Sequence, residues 1–259
     1  MNETATELTR SRTTAPEARL RFQVTDWMAA SPERHGRAAW LEWAGAPAQP
    51  AADAAAPVPA SLRRRLRQAG LLAAEALFGL ASLTGQPRLV FCSRHGEFQR
   101  NLNLLRQLVA EEPLSPTDFS LSVHNAIAGL ISIASGNRAG HTAIAAGRES
   151  FQAGLLEAAV LVKAAPDQAV VLVHYDEPLP TPFEPFRDPA ETPIGLALLL
   201  KAAGSGPAVT MTLEPAREEK AGTEPTELPS LAFLRFLLGG AGELSLPGRL
   251  RTWRWRHAA

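Results

Sequence analysis

Short apolar runs alternate with amphipathic stretches through the middle of this chain, and that alternation limits the possible folds more than any other feature. Residues 88–92 (RLVFC) and 168–175 (QAVVLVHY) are nearly continuous runs of β-branched, aliphatic and aromatic side chains, as in strands covered on both faces. Around them, EFQRNLNLLRQLVAEE, the middle of SLSVHNAIAGLISIASG, and RESFQAGLLEAAVLVKAA read as helices. Residues 141–146 read as another short strand, with Gly147 at the turn into the last of these helices. Strands joined through helices by short connections imply βαβ crossovers. The expected fold is α/β, a mixed, mostly parallel sheet with helices on its faces.

The flanks are read in the same way. Residues 20–24 alternate at period two and predict a strand. Residues 44–60 are Ala/Pro-rich and predict a loop, because repeated prolines remove donors and keep a helix from settling. Ser61 is a candidate N-cap for a helix running to about residue 80, stopped near Gly85-Gln86-Pro87. Residues 179–192 are Pro-rich and predict an irregular surface loop. Strands over 194–200 and 208–213, a charged loop over 217–229, a short helix over 231–238 and a terminal edge strand in LRTWRWRH complete the expectation. Residues 1–18 are polar and aperiodic and read as a flexible tail, leaving 19–259 as a single domain.

Charge and cysteine content narrow the function classes. Lys plus Arg and Asp plus Glu are both 26, so no net field recruits nucleic acid or an anionic membrane, and a protein or small-molecule partner is expected. The only cysteine, Cys92, excludes an internal disulfide framework and a multi-cysteine zinc site. Neither a metal nor a cofactor is expected, and a reducing cytoplasm fits this usage. The N-terminus has no apolar core before a cleavage site, and eighteen apolar residues never run uninterrupted, so neither export nor a membrane span is expected.

Residues 115–177, SPTDFSLSVHNAIAGLISIASGNRAGHTAIAAGRESFQAGLLEAAVLVKAAPDQAVVLVHYDE, with FCSRHGEFQRNLNLLRQL upstream, resemble the thiolase-like β-ketoacyl synthase N-terminal family. Within it they look like the short chain-length-factor subgroup of aryl polyene clusters. The resemblance implies a thiolase-like half-fold lacking the second half of a full ketosynthase. Setting HTAIAAGRESFQAGLLEA beside the family's strand, nucleophile elbow and helix puts Arg148 where the acyl-accepting cysteine sits, between Gly147 and Glu149. Condensation needs a thiolate to hold the acyl chain and two histidines to assist decarboxylation. A guanidinium has no lone pair to attack with. The family's histidines come from its second half, and here only His257 follows Glu177.

The resemblance therefore implies a subunit with no catalytic residue of its own. It would pair as a heterodimer with a full-length ketosynthase in a type II fatty-acid-like or polyketide pathway and shape its acyl tunnel. Each singled-out residue carries two readings. Arg148 is a tunnel or interface cation, or an ordinary helix-start residue; His124 and Asn125 line a tunnel or interface, or form a hydrogen-bonded core pair. His95 contacts a partner or substrate, or caps a loop. Arg63, Arg64, Arg65 and Arg67 dock an acidic acyl carrier protein, or form a solvated face. Trp253 and Trp255 are expected to pack against the sheet. Two other functions stay open: a carrier-dependent acyltransferase or decarboxylase using Cys92 or Glu149, and a self-associating structural relic.

Overall fold

The computed structural model describes residues 19–48, 57–204, 206–215 and 226–258. The expected 1–18 tail, residues 49–56 of the Ala/Pro-rich segment and residues 217–225 of the charged loop lie outside these. In chain order the elements are β1 (Arg19–Ala30), α1 (Gly36–Ala44), α2 (Ala60–Arg63), α3 (Gln68–Phe78), β2 (Arg88–Cys92), α4 (Phe98–Val109), α5 (Pro116–Ser120) and α6 (Ala126–Ser135). Then come β3 (His141–Ile144), α7 (Ser150–Ala164), β4 (Val170–Asp176), β5 (Ile194–Ala202), β6 (Ala208–Pro215), α8 (Pro229–Gly239), β7 (Glu243–Pro247) and β8 (Arg251–Ala258).

The strands form one eight-stranded sheet in the order β3-β2-β4-β5-β1-β6-β8-β7. It is mixed and covered by helices, as expected, but the balance of directions differs from the sequence reading. Only β2 with β3 and β2 with β4 are parallel, and the other five pairings are antiparallel. Crossover helices join only β2, β3 and β4, and the strands after β4 return without a packed helix until α8.

Alternation along the central strands splits the core into two layers. Val90, Cys92, Val170 and Leu172 face α7, with Trp40 of α1 and Phe233 of α8 in the same layer. Leu89, Phe91, Val171 and Val173 face the opposite layer, built with α2, α3 and α6. Both faces are dry, which is why these strands read as continuous apolar runs rather than as alternation. Close packing relies on two glycines. A β-carbon at Gly154 of α7 would sit 2.7 Å from the Cys92 sulfur, and one at Gly195 of β5 would run into the Leu72 carbonyl of α3.

Three further details depart from expectation. The helix expected over 62–80 is broken into α2 and α3, and Ser61 caps neither; Pro59 and Arg67 hold the N-cap positions. The break falls at Arg67, whose backbone is extended with ψ −177°, and the Arg65 carbonyl beside it accepts from Arg100 Nη2 at 3.3 Å, a partner outside the helix. β8 is not an edge strand, because β7 pairs outside it. Finally, α1 occupies a stretch with no sequence expectation, and β1 runs to Ala30, well past Val24. Trp253 and Trp255 are buried in the sheet layer as expected, and Trp255 lies 5.7 Å from the Phe233 ring. Among the described residues no helix is long and apolar enough to cross a membrane.

Candidate functional site

The site forms at the ends of β2 and β4, where three loops meet: Ser93–Glu97 after β2, the turn from β3 into α7, and the Pro-rich segment after β4. Asp176, the last residue of β4, organises the first of these. Its Oδ1 accepts from Ser93 Oγ at 2.8 Å, His95 N at 2.9 Å and Arg94 N at 3.1 Å. Its Oδ2 accepts from Arg94 N at 2.8 Å and lies 3.4 Å from His174 Nε2. Burial pushes the Asp176 pKa up, but His174 and the Arg94 and His95 amides outweigh that and hold it below the usual carboxylate range. The carboxylate thus fixes the path of residues 93–96. Gly96, at φ +56°, completes the turn, with its amide 2.6 Å from Ser93 Oγ.

Gly147 takes φ +59°, a left-handed conformation that favours glycine, and a single 3-10 turn, Gly147–Glu149, leads into α7. These are the residues that the sequence reading sets beside the family's elbow. Arg148 projects from it with its side chain 58% exposed and forms an ion pair with Asp188 Oδ1, without the geometry of a hydrogen bond. Asp188 Oδ2 is bonded by Arg94 Nη1, which also reaches Glu191 Oε1 at 2.9 Å. Glu191 Oε1 takes His95 Nε2 as well, at 3.0 Å. Arg94, His95, Arg148, Asp188 and Glu191 therefore form one charge network across the three loops. Below it lies a small pocket of about 60 Å³, lined among others by Arg94, Phe151, His174, Asp176, Glu191 and Leu228. That is far less than the roughly 300 Å³ or more of a small-molecule site.

The other candidates sort clearly. His95 joins the network through Glu191, on the Pro-rich segment. His124 Nε2 donates to the Ser93 carbonyl at 3.1 Å, and its ring lies against Gly96, so it braces the same loop from α6's side. Asn125 is exposed at the start of α6 and makes no capping bond, so it forms no buried pair with His124. Glu149 is tied down: Oε1 accepts from the Arg249 amide at 2.8 Å and Oε2 from Trp253 Nε1 at 2.7 Å. It is held by the β7–β8 turn rather than presented to the pocket. Cys92 is fully buried, and burial together with Asp176 pushes its thiol pKa well up, away from the thiolate that nucleophilic attack requires. Arg63 pairs with Glu75 at 3.6 Å and Arg67 with Asp118 at 3.7 Å, while Arg64 and Arg65 are exposed.

Sequence reasoning missed Arg94, His174, Asp188 and Glu191. The His-x-Asp spacing at the end of β4 was a usable signal for His174 and Asp176. The Asp188 and Glu191 carboxylates sit in a Pro-rich stretch with no period to read. Among the described residues no cluster of His, Cys, Asp and Glu has metal-binding geometry.

Among curated proteins, none matches the sequence. The fold matches one chain of the ketosynthase ApeO in complex with its chain length factor ApeC from Xenorhabdus doucetiae, with a TM-score of 0.77 and 29% identity over 92% of this chain and 99% of that one. A more distant likeness, of fold alone, is to the ishigamide ketosynthase/chain length factor, with a TM-score of 0.57 and 18% identity over 77% of this chain and 68% of that one. The sequence pattern described as Beta-ketoacyl synthase, N-terminal domain, matches residues 40–256. With the strand, elbow and helix of the site embedded in that match, the chain belongs to the β-ketoacyl synthase N-terminal domain family.

Proposed function

We propose that this chain is a non-condensing, chain-length-factor-type subunit that pairs with a full-length ketosynthase in type II fatty-acid-like or polyketide biosynthesis, of the aryl polyene kind. The observation that carries the reading is the state of the elbow. The side chain there is a guanidinium engaged in an ion pair with Asp188, and the one thiol of the chain is buried with its pKa raised. Neither can hold an acyl group as a thioester, because the reactive species is an accessible thiolate. The neighbour from Xenorhabdus doucetiae is a ketosynthase with its chain length factor, which favours a paired rather than a solitary subunit.

The two sheet edges fit a paired subunit. Edge strand β7 is defended: Glu243 forms ion pairs with Arg254 and Arg256, and Pro247 ends it. Edge strand β3, with the sequence HTAI, carries no Asp, Glu, Lys, Arg or proline, and no described strand pairs outside it. Beside it α6 exposes Ile133 at 77%, and Ser132 Oγ lies 3.2 Å from His141 Nδ1. An unprotected edge flanked by an exposed aliphatic side chain is suited to a partner.

The test is co-purification with a full-length ketosynthase from the same organism, alongside a control in which residues 115–136 are disrupted. A stable complex at micromolar concentration that the control abolishes is expected. Absence of any complex, or a substrate acyl group found on this polypeptide alone, would overturn the reading.

A further inference from the structure

We propose that Arg148 is a latch: it fastens the second half of the Pro-rich segment, residues 184–192, over the pocket, and its release lets that segment lift. The segment is anchored in two different ways. Its first half is held by apolar contact and backbone bonds: Leu179 is buried, the Phe183 ring lies 5.0 Å from the Phe98 ring of α4, and Arg106 Nη2 donates to the Thr181 carbonyl at 2.7 Å. Its second half touches the first, through the Phe186 ring 6.5 Å from the Phe183 ring and a bond from Arg187 Nε to the Leu179 carbonyl, but not the α4 face that holds the first. Phe186 is 68% exposed. The backbone bonds there are local, from Phe186 N to Phe183 O, Arg187 N to Glu184 O and Glu191 N to Asp188 O, each 3.0 Å. What ties it to the body is charge, through Asp188 and Glu191.

The two cations that hold it are not equivalent. The Arg94 side chain is 24% exposed, bonds both carboxylates, and stands on the loop that Asp176 fixes. Arg148 is 58% exposed and reaches Asp188 alone, as an ion pair. A pair whose cation is more than half exposed is weakened and screened by solvent more than one in which a largely buried nitrogen, here Arg94 Nη1, meets two buried carboxylates. Arg94 is thus the hinge pin, and Arg148 the fastening that gives first. The residue at the elbow does not merely replace a nucleophile; it spans the mouth of the pocket. This holds whether or not the chain pairs with a ketosynthase.

Amide hydrogen exchange on the full chain tests this. In Arg148→Ala the Glu191 and Arg187 amides should exchange about threefold to fivefold faster, as expected for loss of one ion pair with an exposed cation, while β4 amides keep wild-type rates. Arg148→Lys should restore most of the protection. Raising NaCl from about 0.01 M to about 1 M shortens the screening length from about 30 Å to about 3 Å, and should speed wild-type exchange at these amides much more than exchange in Arg148→Ala. Equal rates in wild type and Arg148→Ala, or a salt response that the substitution leaves intact, would overturn the latch. Should Arg148→Ala lose β4 protection as well, the wild-type salt series and Arg148→Lys decide the matter: a wild-type response that is absent refutes it.

Discussion

Asp176 is buried, yet it remains the charged centre of its loop because the donors around it outweigh the cost of desolvation. Its pKa is held down in the folded chain, so ionisation is more favourable folded than unfolded. The resulting stability is complete above the ordinary aspartate value of about 3.9 and is lost as pH falls through the lower folded value. Asp176→Asn replaces one acceptor oxygen with an amide that faces backbone N–H donors, and should cost about 2–4 kcal/mol in denaturant unfolding at neutral pH. It should also flatten the loss of stability between about pH 5 and about pH 3 relative to wild type. Cys92 illustrates the opposite balance, since burial and the nearby carboxylate both disfavour its charged form. A thiol reagent should leave it unmodified until the chain unfolds, and Cys92→Ala should cost about 1–2 kcal/mol from the void beneath Gly154 without changing any pathway product. Rapid labelling of the folded chain would contradict this assignment.

At the scale of elements, the elbow is held by its own helix, where Ser150 Oγ accepts from the Ala146 amide at 3.0 Å and donates to the Gly147 carbonyl at 2.7 Å, and also from outside it. Glu149 stands at the N-cap position of α7 but makes no capping bond there; it accepts instead from the Arg249 amide and the Trp253 indole across the β7–β8 turn. Glu149→Ala should destabilise the chain by about 1–3 kcal/mol and speed amide exchange at the β7–β8 turn, with little effect on β2. No local pattern announces a contact between residues 149 and 253, and the same holds for the 62–80 break. That segment has helical spacing throughout, yet Arg67 is extended and Arg100 takes the Arg65 carbonyl. By contrast β2, β4 and α7 were legible, because burial on both sheet faces and along one helix face writes itself into composition. The turn into α7 was legible too, from Gly147 between strand and helix. The carboxylates that hold Arg148 were not, because a Pro-rich loop carries no period from which its contacts can be read.

For the whole molecule, the unequal edges of the sheet give the sharpest test of pairing. In a parallel ladder, alternate residues turn their backbone groups toward the neighbour and away from it. The carbonyls of Gly140 and Ile144 face β2, accepting from Leu89 N and Ser93 N at 3.2 Å each. Thr142 shares their phase, and Ala143 therefore presents its N–H outward, away from β2. Ala143→Pro removes that outward donor and no internal ladder bond, a substitution an edge strand tolerates. If a partner strand adds to β3, the variant should lose the complex at micromolar concentration while its unfolding free energy stays within about 1 kcal/mol of wild type. The corresponding change at the other edge, Ser245→Pro on β7, should leave pairing intact, because that edge is already defended by Glu243 and Pro247. A partner that binds both proline variants equally would place the interface away from the sheet edges.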